Sequence, residues 1–219
     1  MNVFEELLNL VLPTPCCGCS KLGDVLCLKC RGTLIGAPRK AQRAELIGWA
    51  FCDFDDQVSR IMHAFKEGGQ TRVAATLASK MTPLLENFNP LIAGYPNLKL
   101  VSVPSRPSSF IKRGFVPARV LAKQISRQSG LGSINALSFQ RLVQDQAGLG
   151  LEARKTNLVD SMVAKFSLTG SKVLIIDDIV TTGATMLEAG RALKKAGAEV
   201  VGFLAFAETM LKTSTQKVF

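Results

Sequence analysis

The run from Lys172 to Ala198, KVLIIDDIVTTGATMLEAGRALKKAGA, limits what this chain can fold into more than any other stretch. Val173, Leu174, Ile175 and Ile176 form an unbroken apolar segment of the kind buried on both faces of a parallel sheet, and two acids follow at once. The pattern predicts a strand with Asp177 and Asp178 at its carboxyl end. A helix is expected from about Met186 to Lys195, with Met186, Ala189, Leu193 and Ala196 on one face and Gly197 closing it. Between the two lie Thr181, Thr182, Gly183, Ala184 and Thr185. A small, hydroxyl-rich turn at a helix N-terminus aims several backbone N–H groups at one point, where the helix dipole favours negative charge. Gly183 offers the positive φ that such a tight loop needs. The neighbouring carboxylates can accept hydrogen bonds from a vicinal diol, so phosphate and diol together describe a ribose 5-phosphate.

A nucleotide-hydrolase strand also ends in acids, but it requires a G-x-x-x-x-G-K-[ST] loop, and the chain has none. Four apolar residues, two acids and a Thr/Gly loop instead resemble the signature of type I phosphoribosyltransferases. That resemblance implies an α/β fold, a parallel sheet flanked by helices, with phosphoribosyl pyrophosphate and magnesium as ligands. It also implies Asp177 and Asp178 as the catalytic acids and Thr181 to Thr185 as the 5-phosphate loop.

At 219 residues and 47% apolar, the chain has enough hydrophobic material for one substantial core and a small appendage. Lys plus Arg outnumber Asp plus Glu by 27 to 17, a net charge of +10, so an anionic partner is expected. Charge alone does not separate a polyphosphate from a nucleic acid. The N-terminal MNVFEELLNLVLPTP carries acids where a signal peptide carries bases, and no stretch has the apolar length of a membrane span. A cytoplasmic location with reduced thiols is expected.

Residues 2–12 suit a short helix with Val3, Leu7, Leu10 and Val11 on one face, stopped by Pro13 and Pro15. Two C-x-x-C pairs follow, Cys16 with Cys19 and Cys27 with Cys30. Each presents two thiolates from one turn, and four sulfurs suit a structural zinc ion with no open coordination position. Cys17 is the spare thiol, able to replace Cys16 in a strained variant. A zinc module ahead of a phosphoribosyl signature is similar to the competence-protein F (ComF-like) family. That resemblance implies a role in uptake of single-stranded DNA during natural transformation and helicase-type competence partners. The expected organisation is a helix and zinc ribbon over residues 1–35, a basic linker over 36–45 (GAPRKAQRAE) and a phosphoribosyltransferase-like domain over 46–219.

Within that domain Leu46 to Asp53 reads as a strand, and Asp56 to Lys66 as a helix with Val58, Ile61, Met62 and Phe65 on one side. Its end, Lys66-Glu67-Gly68-Gly69, matches the family's Lys-x-x-Gly. His63, the single histidine, reads as a helix-surface residue. Gln70 to Phe88 continues as a second helix. Leu98 to Val103 is the next buried strand, and Pro104, Ser105 and Arg106 form the loop at its carboxyl end, where α/β sheets bind ligands. By the resemblance this loop holds pyrophosphate, with Lys112 and Arg113 adding charge. The family's Arg-Gly-Phe-Asn-Gln is here Arg113-Gly114-Phe115-Val116-Pro117, which loses two polar positions. Ala118 to Ser129 reads as a helix and Leu137 to Arg141 as a strand. Arg141, Gln144, Arg154 and Asn157 match a family segment that acts as a hood over substrate and excludes water. Residues 199–207 form the last core strand, ahead of a basic tail.

Overall fold

The computed structural model describes residues 14–88, 98–140 and 158–209. The expected N-terminal helix, the hood segment with Arg141, Gln144, Arg154 and Asn157, and the tail beyond Thr209 lie outside them.

The chain opens with a two-stranded antiparallel ribbon, β1 (Thr14–Pro15) and β2 (Leu22–Gly23), and helix α1 (Leu28–Thr33). Then come β3 (Arg39–Arg43), β4 (Leu46–Asp53) and α2 (Asp56–Lys66). Asp55 caps α2 by accepting a hydrogen bond from the Val58 N–H at 2.7 Å. The expected helix over 70–88 divides into a 3-10 turn, α3 (Ala74–Met81) and a second 3-10 segment (Thr82–Phe88) that contains Pro83. Next are β5 (Lys99–Ser102), α4 (Pro107–Arg113), α5 (Pro117–Ser129), β6 (Gly132–Ile134) and the hairpin strands β7 (Leu137–Phe139) and β8 (Met162–Ala164). The chain continues through β9 (Lys172–Val180), α6 (Ala184–Lys195) and β10 (Glu199–Glu208).

Six strands form one sheet in the order β3-β4-β10-β9-β5-β6, parallel from β4 to β6, with β3 antiparallel at the edge. Alternation along β9 separates two cores. Leu174 and Ile176 join Leu204, Phe206 and the apolar faces of α2, α3 and α5 on one side of the sheet. Val173 and Ile175 join Phe203, Ala205 and the Met186, Ala189 and Leu193 face of α6 on the other. The cysteine-bearing segment belongs to the first core through Cys16, Leu26, Cys30 and Leu34.

Two stretches carry more structure than the sequence pattern indicates. Within residues 36–45, the expected basic linker, Arg39–Arg43 is a strand whose alternate residues Ala41 and Arg43 are buried. A polar sequence pairs here because β4 supplies its backbone partners, and propensity yields to that edge. β9 likewise does not end at its acids. It runs on to Val180, paired to β10 through Val180↔Glu208, whereas its pairing with β5 stops at Ser102↔Ile176. Asp177 and Asp178 therefore stand beyond the end of β5, at the mouth of a cleft.

Candidate functional site

That cleft is a cavity of about 350 Å³ at the carboxyl ends of the parallel strands. Asp177 and Asp178 line it from β9, and Thr181 and Thr185 from the turn into α6. Pro104, Ser105 and Arg106 face them from the loop after β5, with Ser109 and Arg113 from α4. Of the expected residues with described positions, Thr182, Gly183, Ala184 and Lys112 are absent from the lining, and the Lys112 side chain is 75% exposed. A larger cavity of about 480 Å³ between the β8 hairpin and the far end of α6 contains neither acid.

Both acids are only 8% exposed. Burial pushes the Asp177 carboxyl well above the ordinary carboxylate range, the negative charge of Asp178 adds to this, and Lys66 opposes it. Asp177 Oδ1 accepts the Asp178 N–H at 2.8 Å. Lys66 Nζ, at the end of α2, lies 2.7 Å from Asp178 Oδ1. The next residue, Glu67, turns to the opposite wall, where its carboxylate pairs with Lys112 at 2.9 Å and with Arg113. Hydrogen bonds from Lys112 and Arg113 hold Glu67 below its usual range despite its partial desolvation. Adjacent residues at the end of α2 and just after it thus place a cation on the acids and an anion on the basic wall.

In the turn into α6, Gly183 adopts φ +81°, and Thr182 Oγ1 accepts the Ala184 N–H at 3.3 Å. Arg43, from the stretch read as linker, lies against this turn. Its Nε donates to the Thr181 carbonyl at 3.0 Å, and its terminal nitrogen pairs with Glu208 at 2.5 Å. A Cβ on Gly183 would stand 2.4 Å from Arg43 Cγ. On the far side, Phe139 and Leu158 complete the cavity from the region of the β7–β8 hairpin. Glu188 ties that hairpin to α6 by accepting the Met162 N–H at 2.7 Å.

Sequence reasoning missed Lys66 as a partner of the acids, and it missed Arg43, Glu208 and Glu188 altogether. Lys66 had a motif to mark it. Arg43 and Glu208 are charged residues that the register of distant strands brings together across 165 positions, and Glu188 meets Met162 through the packing of α6 on the hairpin.

In the N-terminal segment the sulfurs of Cys16, Cys19, Cys27 and Cys30 all lie within 4.8 Å of one another. Zinc–sulfur bonds of about 2.3 Å set tetrahedral sulfurs about 3.8 Å apart, and Cys19 and Cys27 stand at 3.8 Å. A Cβ on Gly18 would approach Cys30 Sγ to 2.8 Å, so the glycine keeps this space open. Burial raises the Cys16 thiol, but N–H groups of Cys27 and Gly18 aimed at its sulfur outweigh this and bring it down to about 6. Cys17 stands outside the cluster, pushed up to about 11 by burial and by Cys16. The four thiols fit a tetrahedral metal ion.

This segment packs on the helix that ends at the acid pair. Arg60 of α2 donates to the Gly18 carbonyl at 3.2 Å, and Gln57 to the Cys30 carbonyl at 3.0 Å. His63 is exposed on the same helix, as expected.

Residues 111–217 match the phosphoribosyl transferase domain family. DNA utilization protein YhgH of Escherichia coli K12 is 28% identical over 152 residues, covering 68% of this chain and 66% of the relative. The match therefore spans just under two thirds of that relative's length. Competence protein F of Haemophilus influenzae is 30% identical over 94 residues, 41% of each chain. Among solved structures, adenine phosphoribosyltransferase from Rhodothermus marinus is similar over 82% of this chain and 86% of its own, at 20% identity and a TM-score of 0.38. Among the described residues no helix is long and apolar enough to cross a membrane. A four-cysteine cluster, a phosphoribosyl transferase domain match and relatives of these names together fit a ComF-like family.

Proposed function

We propose that the protein binds phosphoribosyl pyrophosphate with magnesium and transfers its phosphoribosyl group to a nitrogen nucleophile. The observation that carries this reading is the convergence of the acid pair, Thr181 and Thr185 at the two ends of the turn, and the Ser105, Arg106 and Arg113 wall on one cavity. In this reading the turn holds the 5-phosphate through its N–H groups and the α6 dipole. Asp177 and Asp178 hold the ribose hydroxyls and offset positive charge growing at the anomeric carbon. The basic wall receives pyrophosphate as it leaves. Asp177 and Asp178, both nearly buried and the second paired with Lys66, offer oxygens to a hard cation, and magnesium bound with the donor would neutralise the diphosphate. The four cysteines hold zinc as a structural ion, since four thiolates leave no position for substrate. The zinc ribbon takes residues 1–35, the basic connector 36–45 and the transferase domain 46–219, with the connector acting also as an edge strand.

Titration calorimetry with phosphoribosyl pyrophosphate and magnesium tests the site. Wild-type protein gives a binding isotherm, and Asp177→Asn combined with Asp178→Asn removes it. Undiminished binding by the double variant overturns the assignment.

A second reading, a nucleic-acid-handling or adaptor role in the cytoplasm during DNA uptake, draws on the net charge of +10 and on the relatives' names, with a helicase-type protein as partner. Binding of single-stranded DNA that weakens steeply with salt supports it. Absent or salt-indifferent binding removes it.

A further inference from the structure

The Thr181–Thr185 turn depends for its shape on a residue outside the signature. Its glycine, Gly183, is in the left-handed region and has no room for a Cβ on the side facing Arg43, whose Cβ, Cγ and Cδ all lie within 2.7 Å of that position. The aliphatic stem of Arg43 thus lies flat on Gly183, while its Nε takes the Thr181 carbonyl. A carbonyl held by Arg43 is turned toward the protein instead of toward an incoming anion. The guanidinium is itself fixed: one terminal nitrogen donates to the Gln42 carbonyl at 2.9 Å and the other pairs with Glu208. Arg43 is only 6% exposed and Glu208 only 8%, so the arginine's charge is matched in place and is not offered to the cavity. Glu208 is in turn anchored through its backbone, its carbonyl accepting the Phe54 N–H at 2.9 Å. Neither Arg43 nor Glu208 lines the cavity.

We infer that Arg43 is a positioning residue for the phosphate-holding turn: it does not touch the ligand, and it keeps the Thr181 carbonyl withdrawn so that the turn presents only N–H and hydroxyl groups to a phosphate. The inference rests on the reading of the cavity given above and deepens it in one respect. It divides the cavity into two anion subsites, of which only the α6 side depends on Arg43. The Ser105, Arg106 and Arg113 side is built from β5 and α4, and Arg43 makes no hydrogen bond to it.

The experiment uses the full chain and two separate probes, ribose 5-phosphate for the α6 side and inorganic pyrophosphate with magnesium for the opposite side. Arg43→Lys keeps a cation for Glu208 but lacks the Nε–H that Thr181 requires. The expected result is a Kd for ribose 5-phosphate raised about tenfold, the scale of one charge-assisted hydrogen bond, with the Kd for pyrophosphate within a factor of about two of wild type. A thermal midpoint recorded alongside separates this from general damage, which weakens both probes together. Arg43→Gln, which retains a side-chain N–H near the carbonyl, is expected to recover part of the affinity. Equal losses for both probes, or no loss for ribose 5-phosphate, overturn the role of Arg43 while the cavity reading stands. Wild-type protein that binds neither probe removes the cavity reading, and the inference with it.

Discussion

Lys66 Nζ stands 2.7 Å from Asp178 Oδ1, so the last residue of α2 supplies the counter-charge to the acid at the mouth of the cleft. Removing that cation leaves a nearly buried carboxylate without its partner. Lys66→Met is expected to lower unfolding free energy at pH 7 by ~2 kcal/mol, less than the ~3–5 kcal/mol typical of a fully buried pair because the lysine is partly exposed. Adding Asp178→Asn should recover most of the loss. Urea titration of the two single variants and the double variant closes this cycle. Additive losses would show that the two side chains are not coupled.

Asp177 gives a pH dependence of defined sign. Burial and the neighbouring Asp178 raise its carboxyl in the folded state, so the folded protein keeps a proton that the unfolded chain has released. That contribution to stability is complete below the unfolded carboxylate range and is lost as pH rises through the raised value. Asp177→Asn preserves an oxygen for the Asp178 N–H and carries no charge to desolvate. Its thermal midpoint should exceed that of wild type by a few degrees at pH 8, with the gap closing toward pH 4. An equal gap at both ends of that range would count against the burial argument.

The cysteine cluster predicts one zinc ion per chain. Cys19→Ser and Cys27→Ser should each lose the ion, whereas Cys17→Ala should keep it, because Cys17, although next to Cys16 in sequence, lies outside the cluster. Metal content by mass spectrometry decides this. Because the segment contributes Cys16, Leu26, Cys30 and Leu34 to the same core as α2, chelation should also lower the thermal midpoint of the whole chain.

The acid pair, the Gly183 conformation and the four clustered cysteines were legible because each is a local pattern. A strand ending near two acids, a glycine at positive φ and two C-x-x-C turns are specified within a few residues. Cys16 rather than Cys17 as the member of the cluster was legible too, from the spacing of the pairs. What stayed hidden depends on separation. Arg39 to Arg43 carries no strand signature of its own and pairs only because Leu46 to Asp53 leaves an edge beside it. The partnership of Glu67 with Arg113 needs the relative placement of α2 and α4, which no periodicity encodes. The extension of β9 past its acids follows from β10 running to Glu208, a property of the neighbour.

The bond between Arg43 and Glu208 joins the third strand to the end of the tenth. During synthesis the ribosome delivers these residues 165 positions apart, with the signature turn emerging between them. Nascent chains stalled before the tenth strand would carry every signature residue yet hold the turn without its buttress. Competence to grip a phosphate should therefore arrive late and abruptly, when Glu208 clears the exit tunnel.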